Sequence, residues 1–295
     1  MKLQTIFFIA IAMPFLQSCQ KEISSDGGGG TGTANVNFIF KFDSTQVRLN
    51  AIGQSAAMPA GNAGQSPRFN SMSAHYVELA PDAFTPLGGG AILYRAPEVT
   101  TGGARAIDFS NSKFAGNNQL FLSVPVKSFA AGAYNWLRVS LAYQNYNIYV
   151  NALGQTIDAT LASFIGFNTY LGNYKVKDST VIVNGNRLQG YWGLEGKFLG
   201  VGFLSTGQAP AGATTVPNPI FASSPIPQGS CVVTAQFTKP FVVTGNENTD
   251  INIIVSLSTN KSFEWIDVDH NGTYDPNNGD QVIDMGIRGM IPIVQ

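Results

Sequence analysis

The most constraining feature of this sequence is the alternation of apolar and polar residues with a period of two in several short segments. Such alternation is typical of β-strands that bury one face. Strand-like segments occur at 35–42, with Val36, Phe38, Phe40 and Phe42 in alternate positions, and at 120–124, 136–141, 181–183 and 252–257. The 32 glycines and 15 prolines indicate frequent turns rather than long helices. We therefore predict an all-β fold, an antiparallel β-sandwich-like domain.

Two segments carry more specific local expectations. Residues 156–167 place Ile157, Leu161 and Phe164 where they would line one side of a short helix. The dipeptide Asn184-Gly185 follows an apolar run and supplies the positive φ angles of a tight hairpin turn. The first pattern predicts a short helix, and the second predicts that a strand ends in a turn there.

Composition bounds the class of protein. Hydrophobic residues make up 44% of the chain and charged residues 12%, which is too apolar for a disordered chain and sufficient for a large core. Removing residues 1–18 removes one cation, Lys2, and changes the formal net charge from −1 to −2. A nucleic-acid-binding domain carries a basic stripe, so this charge balance gives no support to nucleic-acid binding.

The N-terminus reads as a secretion signal. An apolar run from Ile6 to Leu16 follows Lys2; it is shorter than the roughly 20 residues that span a bilayer and has the length of a signal-peptide core. The run ends in Leu16-Gln17-Ser18-Cys19, which resembles the lipobox of bacterial lipoproteins. This resemblance implies a signal peptide at 1–18 and acylation of the Cys19 sulfur. The competing interpretation is an ordinary signal peptide with a cysteine near its cleavage site.

The rest of the chain divides into a tether and a folded region. Residues 19–34 include four consecutive glycines and predict a flexible tether, because such chain cannot bury a core. A β-rich domain is expected at 35–295. Residues 205–229 hold five prolines and form either a domain linker or a long functional loop. We favour one domain with a long loop over two domains.

Two further stretches bear resemblances. The charged pair Lys21-Glu22 just after Cys19 resembles the surface-export tethers of Bacteroidota lipoproteins. Residues 262–292 resemble the end of uncharacterised Bacteroidota envelope lipoproteins. The first resemblance implies exposure on the outer leaflet, whereas the second brings no assigned activity with it.

One motif carries specific chemistry. Residues 267–275 have the spacing D-x-D-x-N-G-x-x-D of a calcium-binding loop. Calcium takes six to eight oxygen ligands, and glycine at the sixth position permits the sharp turn that lets alternate side chains converge. The sequence therefore predicts a structural calcium site. The expected ligands are Asp267, Asp269, Asn271, Thr273 through its carbonyl, Asp275 and Asp280.

The loop departs from the EF-hand pattern, because its twelfth position is Asn278 and Pro276 opposes an exit helix. It resembles instead the D-x-D-x-[DN]-G calcium loops found outside EF-hands, here in a hairpin at 264–284, with Asp280 or Asp284 supplying the missing carboxylate. Residues 262–287 contain six acids and no Lys or Arg, and these acids repel one another unless a cation or solvent intervenes. A solvated turn whose side chains bond their own backbone is the competing interpretation.

Other residues with chemical potential are few. His75 lies in a strand-like segment and the chain has no G-x-S-x-G motif, so we expect a structural histidine. Cys231 opens an apolar run and is expected to be a buried, unreactive thiol. Glu195 offers one carboxylate of a glycosidase pair, for which the sequence supplies no convincing second member. We therefore predict no catalytic residue.

Three aromatic residues are candidates for ligand binding. Trp136, Tyr191 and Trp192 belong to aromatic clusters that would stack on sugar rings if exposed, as in carbohydrate-binding β-sandwiches. If they face inward, the same residues serve core and cross-strand packing.

These features together predict a lipid-anchored cell-envelope protein of the outer membrane that binds a ligand, a glycan or an envelope partner and is not an enzyme. The expected partners are the membrane, through the lipid anchor, and a glycan or envelope protein, and the expected cofactor is structural calcium. The alternative is a surface hydrolase acting on polysaccharide or another polymer.

Overall fold

The structure is a computed structural model that describes residues 30–85, 89–210, 213 and 231–295. The expected signal peptide, Cys19, the start of the tether and most of segment 205–229 lie outside the described residues. In the part described, no helix is long and apolar enough to cross a membrane.

All regular structure in these ranges is strand or short 3-10 turn. The strands are β1 Asn35–Asp43, β2 Asn62–Gln65, β3 Arg68–Ala80, β4 Ala91–Arg95, β5 Glu98–Val99, β6 Ala106–Asp108, β7 Gln119–Pro125, β8 Gly132–Ala152, β9 Gln155–Phe164, β10 Asn168–Lys175, β11 Thr180–Leu188, β12 Tyr191–Phe198, β13 Val201–Gln208, β14 Cys231–Val243, β15 Ile251–Ser258, β16 Phe263–Ile266, β17 Gln281–Met285 and β18 Met290–Val294. The 3-10 turns are Phe109–Asn111, Val126–Ser128 and Pro276–Asn278.

The described strands form four sheets. The largest has the order β13-β12-β9-β8-β3-β4, and β14 also pairs with β8. Two four-stranded sheets have the orders β18-β15-β1-β7 and β11-β10-β6-β5, and a small sheet has the order β17-β16-β2. Most neighbours are antiparallel, whereas β1 pairs with β15, and β6 with β10, in parallel.

The main core lies between the largest sheet and the sheet that contains β1. Phe38 and Phe40 of β1 are fully buried and share one apolar cluster with Val139 of β8 and Val233 of β14. This packing of two sheets face to face is a sandwich, so the all-β, sandwich-like prediction is confirmed. The period-two alternation at 35–42 arises because β1 buries one face here.

Strand β8 extends beyond this sandwich and supports a second core. Strand β14 pairs with residues 132–141 of β8 and β9 with residues 143–152, whereas β3 pairs with the middle of β8, residues 136–147. Tyr146 and Ile148, in the part that pairs with β9, pack with Leu161, Phe263 and Trp265 in a separate cluster. The C-terminal hairpin β16–β17 is therefore fixed against β8 and β9, which positions the loop between its strands.

A third cluster forms beneath the sheet that contains β10. Phe164 of β9 packs with Leu171 and Tyr174 of β10, and Phe109 of the preceding 3-10 turn packs against them. This cluster carries an aromatic surface that is described below.

The prediction of a short helix at 156–167 is wrong, because most of this segment is strand β9. Ile157 and Leu161 face the second core, whereas Phe164 faces the third. A strand covered on both faces loses its alternation, so the apolar spacing resembled a helical one.

The prediction of a hairpin turn at Asn184-Gly185 is also wrong, because both residues lie inside β11. Asn184 has a φ of 49°, and the register shifts between Leu171 and Asn173 on the partner strand. The positive φ is used in a β-bulge rather than in a turn.

Two expected boundaries also shift. Residues 30–34 of the tether lie against the loop after β14, where Gly32 N donates to Gly245 O at 2.9 Å and Ala34 N donates to Glu247 O at 3.1 Å. The long loop expected from residue 205 begins later, because residues 205–208 continue β13. Cys231 is buried at the start of β14, as expected.

Candidate metal centre and ligand clefts

The motif at 267–275 lies in the loop between β16 and β17. The last ladder pair of this hairpin is Ile266 with Gln281. Asp267 and Asp280 are the next residue on each strand, so the antiparallel register itself sets them side by side. The loop is held to the sheet where Asn151 N donates to Tyr274 O at 2.7 Å.

Three carboxylates converge at the base of this loop. Ligand oxygens of Asp267, Asp269 and Asp280 lie within 4.8 Å of one another, with Asp267 and Asp280 buried and Asp269 exposed. Calcium–oxygen distances of about 2.3–2.6 Å allow two ligands of one ion to be up to about 5 Å apart. The spacing of the three carboxylates therefore fits a calcium ion.

Backbone hydrogen bonds hold the two buried carboxylates in place without saturating them. Asp267 accepts from Asn271 N at 3.2 Å and Gly272 N at 2.9 Å, one on each oxygen. Asp280 accepts from Val268 N at 3.1 Å and Asp275 N at 2.8 Å, again one on each oxygen. A carboxylate has about four acceptor sites, so each keeps lone pairs for a cation.

The other expected ligands have different contacts in the structure. The side-chain oxygen of Asn271 accepts from Thr273 N at 2.7 Å, and the Asn271 amide donates to Asp269 Oδ2 at 2.8 Å. The Asp275 carboxylate caps the turn Pro276–Asn278 by accepting from Asn277 N at 3.0 Å. Of the two carboxylates proposed to complete the set, Asp280 joins the cluster.

Asp284 lies in a separate charged cluster at the other end of the hairpin. It is the cross-strand partner of Glu264, and its Oδ2 lies 3.3 Å from Arg288 Nη1. Glu264 is fully buried and contacts Arg48 and Arg288. Burial raises the pKa of Asp284 to about 7, although the positive charge of Arg288 opposes the shift.

The three candidate aromatic residues are not brought together. Trp136 is half-buried in β8 between Ala80 and Gln236. Tyr191 and Trp192 are neighbours on β12 and therefore point to opposite faces. Tyr191 packs against the third core and Trp192 against the second, so the pair does not form one flat platform.

Glu195 serves as an anchor for a backbone turn. Its carboxylate accepts hydrogen bonds from the backbone N–H groups of Lys177, Asp178 and Ser179 and from the Ser179 hydroxyl. Burial alone would raise the pKa of Glu195, but these hydrogen bonds bring its pKa below the ordinary value. All acceptor sites of the carboxylate are used, which leaves it poorly placed to act as a general acid or nucleophile.

His75 has the surroundings of a structural residue. It is buried in β3, and its Nε2 lies 2.8 Å from Glu98 Oε1. Burial lowers the pKa of His75, against the opposing effect of Glu98. The contact joins the largest sheet to β5 of the neighbouring sheet.

Four hollows open near these features in the part of the chain that the structure describes, one of which, of about 260 Å³, lies beside Gly272 and Thr273 of the aspartate loop. Another of about 250 Å³ lies between Trp192 and the C-terminal hairpin, and one of about 550 Å³ lies beside Glu195. The fourth, of about 350 Å³, is lined by Phe109, Phe114 and Tyr170. No motif in the sequence points to this fourth group, and its local signal is limited to Phe109 and Phe114, which lie within six residues after Asp108.

Comparison with known proteins gives no match: no family model, no curated protein and no solved structure is significantly similar to this chain.

Proposed function

We propose that this chain is a lipid-anchored protein of the bacterial cell envelope, held at the outer membrane through Cys19, whose β-domain binds a ligand, glycan or envelope partner without converting it. A calcium ion bound by the loop between β16 and β17 stabilises the C-terminal hairpin. The lipobox-like sequence at 16–19 supports the anchor, and the first strand beginning at Asn35 leaves a spacer between lipid and domain.

The observation that carries the calcium proposal is the convergence of Asp267, Asp269 and Asp280. Two of these carboxylates are buried and are held by backbone hydrogen bonds at a spacing that one ion can bridge. The ion would link both strands of the hairpin, since Asp267 follows β16 and Asp280 precedes β17. Its role is therefore structural.

A binding role is favoured over the hydrolase alternative by the position of Glu195. This residue is the carboxylate that the sequence offers for glycosidase chemistry, and its oxygens are occupied by the turn at 177–179. A glycosidase acid needs a raised pKa, whereas the pKa of Glu195 is lowered.

The calcium proposal is tested by thermal unfolding of the full-length protein in detergent, with calcium or with EDTA. A ligand that binds only the folded state stabilises it by about 2.7 kcal/mol at a hundredfold excess over its Kd. For a domain of this size that corresponds to a rise in Tm of roughly 5–10 °C. We expect such a rise for the natural sequence.

The variant Asp269→Asn provides the sharper comparison, because Asp269 is the exposed member of the cluster. Without calcium, the substitution relieves repulsion between acids and leaves Tm equal or slightly higher; with calcium, most of the rise disappears. Asp178→Asn, at an exposed turn, is the matched control and keeps the full rise. The calcium proposal would be contradicted if both variants showed the same calcium-dependent rise in Tm, or if the natural sequence showed no rise at millimolar calcium.

A further inference from the structure

The hollow of about 350 Å³ lies where the turn Phe109–Asn111 meets β10. Its volume falls within the range of about 300–1,000 Å³ that is usual for small-molecule sites. The hollow beside Trp192, at about 250 Å³, falls below that range. The larger hollow beside Glu195 contains an anion-binding turn at 177–179, but the Glu195 carboxylate already fills that turn.

Aromatic rings form one side of this hollow, which we call the Phe114 cleft. Phe109, Phe114, Tyr170 and Tyr174 line it. Phe114 is 41% exposed, yet its ring is fixed by edge-on contacts to Phe109 at 5.2 Å and to Tyr143 at 5.7 Å between ring centroids. A rigid, partly exposed ring gives apolar contact area at a small cost in side-chain entropy.

Polar groups form the other side of the Phe114 cleft. Ser110, Asn173 and Lys175 line it, and all three are exposed. The turn that carries Ser110 is held by Asp108, which accepts from Ser110 N at 3.0 Å and from the Asn111 amide at 2.8 Å. The Ser110 hydroxyl also donates to Asp108 Oδ1 at 2.6 Å, so it offers a ligand its acceptor lone pairs. The cleft therefore presents a hydroxyl acceptor, an amide and an ammonium group on a fixed backbone.

Gly172 lines the cleft at the β-bulge where the register of β10 with β11 shifts between Leu171 and Asn173. Its φ lies outside the positive range, and a Cβ added there would meet no atom within 4 Å. A larger side chain at residue 172 would therefore extend into the cleft without meeting the backbone, and glycine keeps this part of the cleft open.

We propose that the Phe114 cleft binds a pyranose unit of a glycan. A pyranose ring has an apolar C–H face, which matches the aromatic side of the cleft, and a hydroxyl edge, which matches Ser110, Asn173 and Lys175. The proposal rests on the binding role proposed above and names the ligand class for it. Calcium takes no part, because no member of the aspartate cluster lines the cleft.

The test is isothermal titration of the full-length protein in detergent with cello-, xylo-, manno-, malto- and chito-oligosaccharides, in calcium and in EDTA. At least one oligosaccharide binds, with the same affinity in both buffers. Gly172→Ile fills the cleft with a residue suited to a strand, and Phe114→Ala removes the exposed ring. We expect each substitution to weaken binding about tenfold or more.

Gly202→Ile is the matched control, because a Cβ at Gly202 also meets no atom within 4 Å and Gly202 lines the hollow beside Glu195. It leaves glycan affinity unchanged if the Phe114 cleft is the site. Binding lost in Gly202→Ile but retained in Gly172→Ile overturns the cleft while keeping the binding role. No binding to any of the five sugars overturns the glycan assignment, and a missing calcium shift in the melts affects only the calcium proposal.

Discussion

Asp284 gives the hairpin β16–β17 a pH dependence of unusual sign. Asp284 is 7% exposed and lies directly across the ladder from the fully buried Glu264. Burial raises its pKa from 3.8 to about 7, and the carboxylate of Glu264 adds to the shift, whereas Arg288, Arg48 and a hydrogen bond from Gly286 N at 3.1 Å oppose it. The folded state therefore retains a proton on Asp284 that the unfolded chain releases.

The magnitude follows from the size of this shift. Each pKa unit corresponds to about 1.4 kcal/mol, so a change from 3.8 to about 7 is worth roughly 4 kcal/mol. Because the folded pKa is the higher one, the contribution is fully present below about pH 4 and is lost as the pH rises to about 7. Asp284→Asn keeps an uncharged group of the same shape at every pH. We expect the variant to match the natural protein near pH 4 and to exceed its stability by up to roughly 4 kcal/mol at pH 8.

Urea unfolding at several pH values between 4 and 8, in EDTA, measures this difference directly. Subtracting the curve of Asp284→Asn from that of the natural protein isolates the titration of one group, because all other acids occur in both. Asp178→Asn, the same substitution at an exposed turn, serves as the control. If Asp284→Asn is less stable than the natural protein at pH 8, then the ion pair with Arg288 dominates and Asp284 is charged in the fold.

Two other expectations follow from single residues. Glu195→Gln removes the charge that anchors the turn at 177–179 and should destabilise the fold by about 2 kcal/mol at neutral pH. The loss should be smaller in acid, because the pKa of Glu195 is lowered in the folded state. Urea unfolding measures the loss, and unchanged stability would mean that the turn does not depend on the Glu195 carboxylate. Cys19→Ser should release the protein from the membrane fraction, and globomycin should make the precursor of the natural sequence accumulate; an unmodified Cys19 sulfur in the mature protein, found by mass spectrometry, would contradict lipidation.

The sequence predicts strands well where one face is buried and the other is not. Segment 35–42 alternates because β1 packs one face on the main core. Strand β9 could not be recognised in this way, since Ile157 and Phe164 are buried on opposite faces in two different cores. The period of apolar residues reflects which faces are buried. It indicates a strand only when one face of the strand meets a core and the other meets a more polar environment.

The two candidate sites also differ in how far the sequence predicts them. The aspartate loop is local in sequence, and its closing member Asp280 follows from the antiparallel register alone. The Phe114 cleft joins the turn at 109–111 to β10, two segments that meet through the parallel pairing of β6 with β10. No local pattern encodes that pairing, and the opening at Gly172 becomes visible only once its neighbours in space are known.

The distribution of charge along the hairpin β16–β17 favours the proposed calcium site over a solvated turn at the aspartate loop. At one end, Glu264 is paired with Arg48 and Arg288 from outside the hairpin, and Asp284 lies beside Arg288. At the other end, Asp267, Asp269 and Asp280 form no ion pair with any Lys or Arg in the part of the chain that the structure describes. A solvated Asx turn would leave its acids exposed, but two of these three are buried. Buried carboxylates without a cationic partner are costly to fold even when backbone N–H groups donate to them, as they do to Asp267 and Asp280, and the calcium ion that we propose would supply the missing positive charge.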